Sequence, residues 1–173
     1  MSYTTERQPE GRVRCYENII RQMMIAELVA IDDYSTILSQ SDIKELNYVL
    51  EHILEEEKKH YGLFLQLLRR IDREEWEFYI KVLKKDEGKN LRQVKVEYGN
   101  NKKDRRLLLE EIRKNIKGEL EAIVLYEDLI EEIPDREGRC IVQEVIKEEK
   151  EHTEELTAVL LKLDKDCYGP LKG

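Results

Sequence analysis

The chain has 173 residues, 39% of them charged and 7% aromatic, with three prolines and a formal net charge of −8. This composition suits one helical domain with a real core and disfavours a sheet-rich fold. The negative balance argues against nucleic acid as the main partner, and no apolar run approaches the length that crosses a bilayer.

Residues 1–11 read as a flexible polar tail with no secretory leader. A first helix is predicted from Arg12 to Ser39, because Ile19, Ile20, Met23, Ala30, Ile31, Tyr34 and Ile37 recur at steps of three and four. Asp42 followed by Glu45 resembles a capping box and predicts the start of a second helix, which carries Leu46, Leu50, Ile53, Leu54, Phe64 and Leu67 on one face. Asp72 followed by Glu75 predicts a further start, and Trp76, Tyr79, Ile80 and Leu83 form an apolar stripe after it. That stripe reads as packing on the chain's own bundle rather than as a cofactor or dimer surface.

Residues 84–106 are highly charged and broken by Gly88, Gly99, Asn100 and Asn101, so they read as a connection with little regular structure, with Val94, Val96 and Tyr98 as a short extended piece. A third long helix is expected from near Asp104 to Ile133, where Pro134 ends it. Asp135 is the expected N-cap of a fourth, running to about Leu163. Residues 164–173 read as a second flexible tail. The domain is thus 12–163, with a crossover at about 71–104.

Chemistry enters through a repeat. Glu57-Lys58-Lys59-His60 and Glu149-Lys150-Glu151-His152 both spell Glu-x-x-His, and each follows a lone Glu by 30 residues, Glu27 and Glu119. Corresponding residues of the two sets are all 92 apart, and the match extends to Glu-Leu-x-Ala-Ile-x-x-Tyr at 27–34 and 119–126 and to Glu56 and Glu148. Residues i and i+3 share a helix face, so a Glu and a His so spaced can reach one cation together. One Glu from each of two helices and a Glu-x-x-His from each of the other two is the ligand set of a two-metal carboxylate site in a four-helix bundle. The predicted metal ligands are therefore Glu27, Glu57, His60, Glu119, Glu149 and His152. Tyr34 and Tyr126, two turns beyond Glu27 and Glu119, are candidates to bond the ligand carboxylates. His52 breaks the repeat, aligning with Glu144, and reads as solvated. Glu55, Glu56 and Glu148 read as surface charges.

The pattern from Tyr16 to Leu163 resembles the rubrerythrin branch of the ferritin-like di-iron carboxylate superfamily. The resemblance implies an all-α, ferritin-like four-helix bundle made of two repeated helical hairpins joined by a long crossover. It implies two iron ions per chain, with manganese an alternative, and reduction of hydrogen peroxide at the dinuclear site. A separate electron-donor protein would then be needed, because Cys15, Cys140 and Cys167 form no Cys-x-x-Cys pair and hence no rubredoxin-type module. Isolated thiols suggest a reducing cytoplasm, and the resemblance implies a homodimer or higher homo-oligomer. Rubrerythrins usually carry a further Glu one turn after the third-helix ligand. Ala122 stands there, while Glu121 points about 100° away. The six-residue set is as similar to a simpler ferroxidase that uses oxygen to oxidise iron. A manganese catalase-like activity and a non-catalytic helical bundle are further alternatives.

Overall fold

A computed structural model describes residues 15–86, 104–166, 168 and 169. The amino-terminal tail, the middle of the crossover with its expected extended piece, Cys167 and the end of the carboxyl-terminal tail lie outside the described residues. Among the described residues, all regular structure is α-helical: α1 (Tyr16–Leu38), α2 (Lys44–Ile71), α3 (Arg73–Asp86), α4 (Arg105–Ile130) and α5 (Arg136–Leu163).

Two of the expected caps hold. Asp72 Oδ1 accepts from the backbone N–H groups of Glu74 and Glu75 at 3.0 and 3.2 Å, starting α3. Asp135 Oδ1 accepts from Gly138 N at 2.7 Å, starting α5. The same Asp135 takes the Tyr16 hydroxyl on Oδ2 at 2.5 Å, which ties the beginning of α1 to the beginning of α5. A Cβ on Gly138 would overlap that hydroxyl, so this contact requires glycine.

Other boundaries differ from expectation. The N-cap position of α2 is Ile43 and no side chain caps it; Ser41 Oγ instead accepts from Ile43 N at 3.2 Å. The turn that Ser41 shapes moves the boundary past Asp42. Helix α4 ends at Ile130 rather than Ile133. Pro134 disfavours helical conformation in the residue before it, and the chain leaves through a turn in which Ile133 N bonds Ile130 O. Helix α3 extends the regular structure to Asp86, into the expected connection. It packs on α2, and Trp76 and Leu83 of its stripe stay about half exposed.

The chain forms two hairpins, α1–α2 and α4–α5, which meet through α1 on α4 and α2 on α5. On the first contact Lys114 meets Asp33 while Tyr126 meets Glu27, so α1 and α4 run antiparallel. Helices α2 and α4 therefore point the same way. A helix the length of α2, 28 residues, is roughly 42 Å long at 1.5 Å per residue, and the connection after it must return the chain over that distance. This is the long crossover of a ferritin-like bundle.

The core divides in two along the bundle axis. One cluster holds Ile19, Met23, Phe64, Leu67, Tyr126 and Val145, and the other Tyr34, Leu50, Ile53, Ile112, Leu156 and Val159. On every one of the four long helices the predicted ligands fall between these clusters. Fully burying each such apolar side chain contributes about 1.5–3 kcal/mol, which offsets the cost of the polar layer they enclose.

Candidate metal centre

The four long helices bring all six predicted ligands into that layer, and none is more than 3% exposed. Their ligand atoms form two overlapping groups, Glu27, Glu57, His60 and Glu149, and Glu57, Glu119, Glu149 and His152, the atoms of each lying within 4.8 Å of one another. Glu57 and Glu149 belong to both groups, as carboxylates that bridge two cations would.

Both histidines aim Nδ1 inward. His60 Nδ1 lies 3.6 Å from Glu27 Oε2, 3.6 Å from Glu57 Oε2 and 3.3 Å from Glu149 Oε1. His152 Nδ1 lies 3.1 Å from both Glu57 Oε1 and Glu149 Oε2, and 3.9 Å from Glu119 Oε2. The outer nitrogens meet two further carboxylates: Nε2 of His60 is 2.7 Å from Glu148 Oε2, and Nε2 of His152 is 3.0 Å from Glu56 Oε2. Glu56 and Glu148, read from the sequence as surface charges, do stay partly exposed, but each also faces a buried histidine. The α2–α5 contact places each across from the other hairpin's histidine, where it fixes the tautomer that leaves Nδ1 free for a cation. Their retention at the repeat offset was the signal for this role. Glu55 is exposed, as expected.

The tyrosines also cross between hairpins. Tyr126 donates its hydroxyl to Glu27 Oε1 at 2.5 Å, and Tyr34 donates to Glu119 Oε1. Each phenol holds the lone Glu of the opposite hairpin, not the Glu of its own helix. Glu121 turns outward and pairs with Lys117. His52 is half-exposed and faces Glu56 and Glu155. The thiols of Cys15 and Cys140 are free and exposed.

The electrostatics repeat with the sequence. Burial pushes Glu27 well above the usual carboxylate range, and Glu119 up to about 8. Against the same burial, His152 and His60 hold Glu57 down at about 2 and Glu149 below its ordinary value. Burial also opposes charge on the histidines, but the surrounding carboxylates lift His60 to about 12 and His152 likewise far up. Without a cation, two neutral Glu, two carboxylates and two imidazolium rings make an uncharged layer. Exchanging the four displaceable protons for two divalent cations keeps it uncharged, with four carboxylates and two neutral imidazoles. A buried ionic layer is tolerable only when balanced in this way.

The donors fit a pair of cations in a second respect. Glu57 Oε1, Glu149 Oε1 and His60 Nδ1 are buried without a hydrogen-bond partner. They converge closely without aligning on one another, as ligand atoms around a cation do. Carboxylate oxygen with imidazole nitrogen suits iron or manganese. A cavity of about 190 Å³ between α1 and α4 reaches the four carboxylates but neither histidine. The small residues Ala26, Ala30, Gly118 and Ala122 line it, so the open side of the cluster faces α1 and α4.

No family model matches the chain. It is 42% identical over 66 residues to a ferritin-like–encapsulin shell fusion protein of Pyrococcus furiosus, a stretch covering 38% of this chain and 19% of that protein. It is 36% identical over 56 residues to the encapsulin nanocompartment cargo protein EncC of Myxococcus xanthus, covering 32% of this chain and 43% of the relative. The matches therefore span less than half the length of either curated relative. A solved structure of a hypothetical protein from Pyrococcus furiosus shares the fold with a TM-score of 0.65 at 21% identity, over 85% of this chain and 89% of that one.

Proposed function

We propose that this chain oxidises Fe(II) at the six-residue cluster, with iron as the substrate and dioxygen as the electron acceptor. The observation that carries this reading is the buried, charge-balanced set of four carboxylates and two histidines whose carboxylate side opens onto a small cavity. In this reading Glu27 and His60 hold one ion, Glu119 and His152 the other, and Glu57 and Glu149 serve both. Two Fe(II) ions each give up one electron, and dioxygen takes the two electrons with two protons to form hydrogen peroxide. Carboxylates suit this chemistry because hard oxygen donors favour the more highly charged product ion. Tyr34 and Tyr126 keep Glu119 and Glu27 oriented while that charge changes. Glu56 and Glu148 hold the histidines against rotation.

Peroxide reduction, which the rubrerythrin resemblance implies, uses the same residues. Ala122, at the position where rubrerythrins carry a further Glu, favours the simpler oxidation of iron. One curated relative is named as an encapsulin cargo protein and the other as a ferritin-like–encapsulin shell fusion, and we extend the proposal to this chain as the cargo of such a shell.

Stopped-flow mixing of the anaerobic protein, loaded with two Fe(II) per chain, against dissolved oxygen and against hydrogen peroxide is the test. Oxidation by oxygen at a rate equal to or above that by peroxide supports iron oxidation. Much faster oxidation by peroxide replaces it with the peroxide-reducing reading. Failure to bind iron at all removes both.

A further inference from the structure

The cavity between α1 and α4 differs at its two ends. The helices run antiparallel, with Tyr34 bonded to Glu119 and Tyr126 bonded to Glu27. Neighbours of those residues therefore show which end each lining group occupies. Asp33, Asn115 and Gly118 line the cavity beside Glu119, whereas Ala26 and Leu125 line it beside Glu27. The repeat sharpens the contrast: Asp33 matches Leu125, Asn115 matches Met23 and Gly118 matches Ala26. The six ligands and both tyrosines keep the offset of 92, yet one end of the cavity is polar and the other apolar.

Each group at the polar end suits a cation in transit. Gly118 is exposed, and a Cβ there would meet nothing within 4 Å. Packing therefore does not demand glycine, which is a poor helix former; what the missing side chain provides is open space. Asp33 is one-third exposed and pairs with Lys114 at 2.8 Å. The lysine is more than half exposed, and ion pairs of this kind are weak enough for a divalent cation to displace. Asn115 is 4% exposed, and its amide nitrogen donates to Glu111 O at 2.8 Å, which leaves the amide oxygen as the atom to meet a cation. Further in, the cavity is lined by Glu57 and Glu149, and Oε1 of each is buried without a hydrogen-bond partner.

We propose that Fe(II) enters the buried cluster at this polar end, between Asp33 and Gly118, and meets Asn115 and Glu119 before the shared carboxylates. This rests on the reading of the cluster as a metal centre and adds which residues admit the ion. The end at Ala26 and Leu125 offers a cation no polar group short of Glu27 itself.

Stopped-flow loading of the metal-free full chain with Co(II), followed by its visible absorption, tests the route, with ion content at equilibrium measured alongside. Asp33→Asn combined with Lys114→Gln removes the carboxylate at the mouth without changing the net charge. That variant is expected to load about tenfold more slowly, the low end of electrostatic effects on association. Gly118→Leu is expected to slow loading at least as much, while Gly118→Ala loads as the wild type does. All three hold as many ions as the wild type at equilibrium, because no ligand has changed. Loading at the wild-type rate by either the double variant or Gly118→Leu overturns the route and leaves the metal centre standing. Asp33 and Lys114 are surface groups, so the double variant decides the matter even where leucine at the mouth disturbs the fold. Absence of Co(II) uptake by the wild type overturns the metal centre, and the route with it.

Discussion

Glu148 on α5 lies 2.7 Å from the outer nitrogen of His60 on α2, so each hairpin orients the histidine of the other. Glu56 repeats the arrangement on His152 at 3.0 Å. Replacing both carboxylates by alanine leaves the six inner groups in place but frees the rings to rotate. Metal affinity is expected to fall about 10- to 100-fold with the helical content unchanged. Co(II) titration with circular dichroism checks both, and wild-type affinity in the double variant would contradict the orienting role.

Glu57 and Glu149 are the groups shared by both halves of the cluster. Glu57→Gln with Glu149→Gln is expected to abolish binding of the ion pair and the rise in melting temperature that metal confers on the wild type. Metal content by elemental analysis and thermal melts with and without Mn(II) measure this. Equal metal content in wild type and variant would remove the metal reading.

Protons compete with the cations. Glu119 ionises only near 8 and His60 loses its proton only near 12 in the metal-free protein, so each divalent ion displaces about two protons and binds more tightly as pH rises. Calorimetric titration in buffers of different ionisation enthalpy measures that number. Stability without metal runs the other way. A carboxyl raised from 4.5 to about 8 favours the fold while neutral, and that contribution disappears as pH rises through about 8. His60, raised from 6.5 to about 12, contributes fully below 6.5 and loses its effect as pH rises towards 12. Glu57, held at about 2, loses its contribution only as pH falls from 4.5 through 2. The metal-free protein is therefore expected to melt lower at pH 9 than at pH 6, and a rise over that interval would contradict the protonation pattern.

Gly138 leaves room for the Tyr16 hydroxyl to reach Asp135. Gly138→Ala is expected to displace that hydroxyl and lower stability by about 1–3 kcal/mol through overpacking and the lost bond. In a Tyr16→Phe background most of that cost should vanish, since the two changes remove the same contact. Urea unfolding of the four proteins closes the cycle, and simple additivity would show that the glycine serves another purpose.

The sequence by itself determined the helices, the hairpin repeat and the six residues of the buried layer. Each of these depends on spacing along one helix: Glu57 and His60 share a face because they are three residues apart, and the constant offset of 92 carries that face into the second hairpin. Asp72 and Asp135 were legible as caps for the same reason, since a cap acts within its own turn. Only the tertiary structure decided which hairpin each supporting group serves. Tyr34 holds Glu119, Tyr126 holds Glu27, and Glu56 and Glu148 hold histidines on the opposite hairpin. Antiparallel packing of α1 on α4 and of α2 on α5 sets these pairs, and a periodicity read along one helix does not contain the register of another. A glutamate in a charged helical run looks like any solvated glutamate until the neighbouring helix brings a ring nitrogen to it.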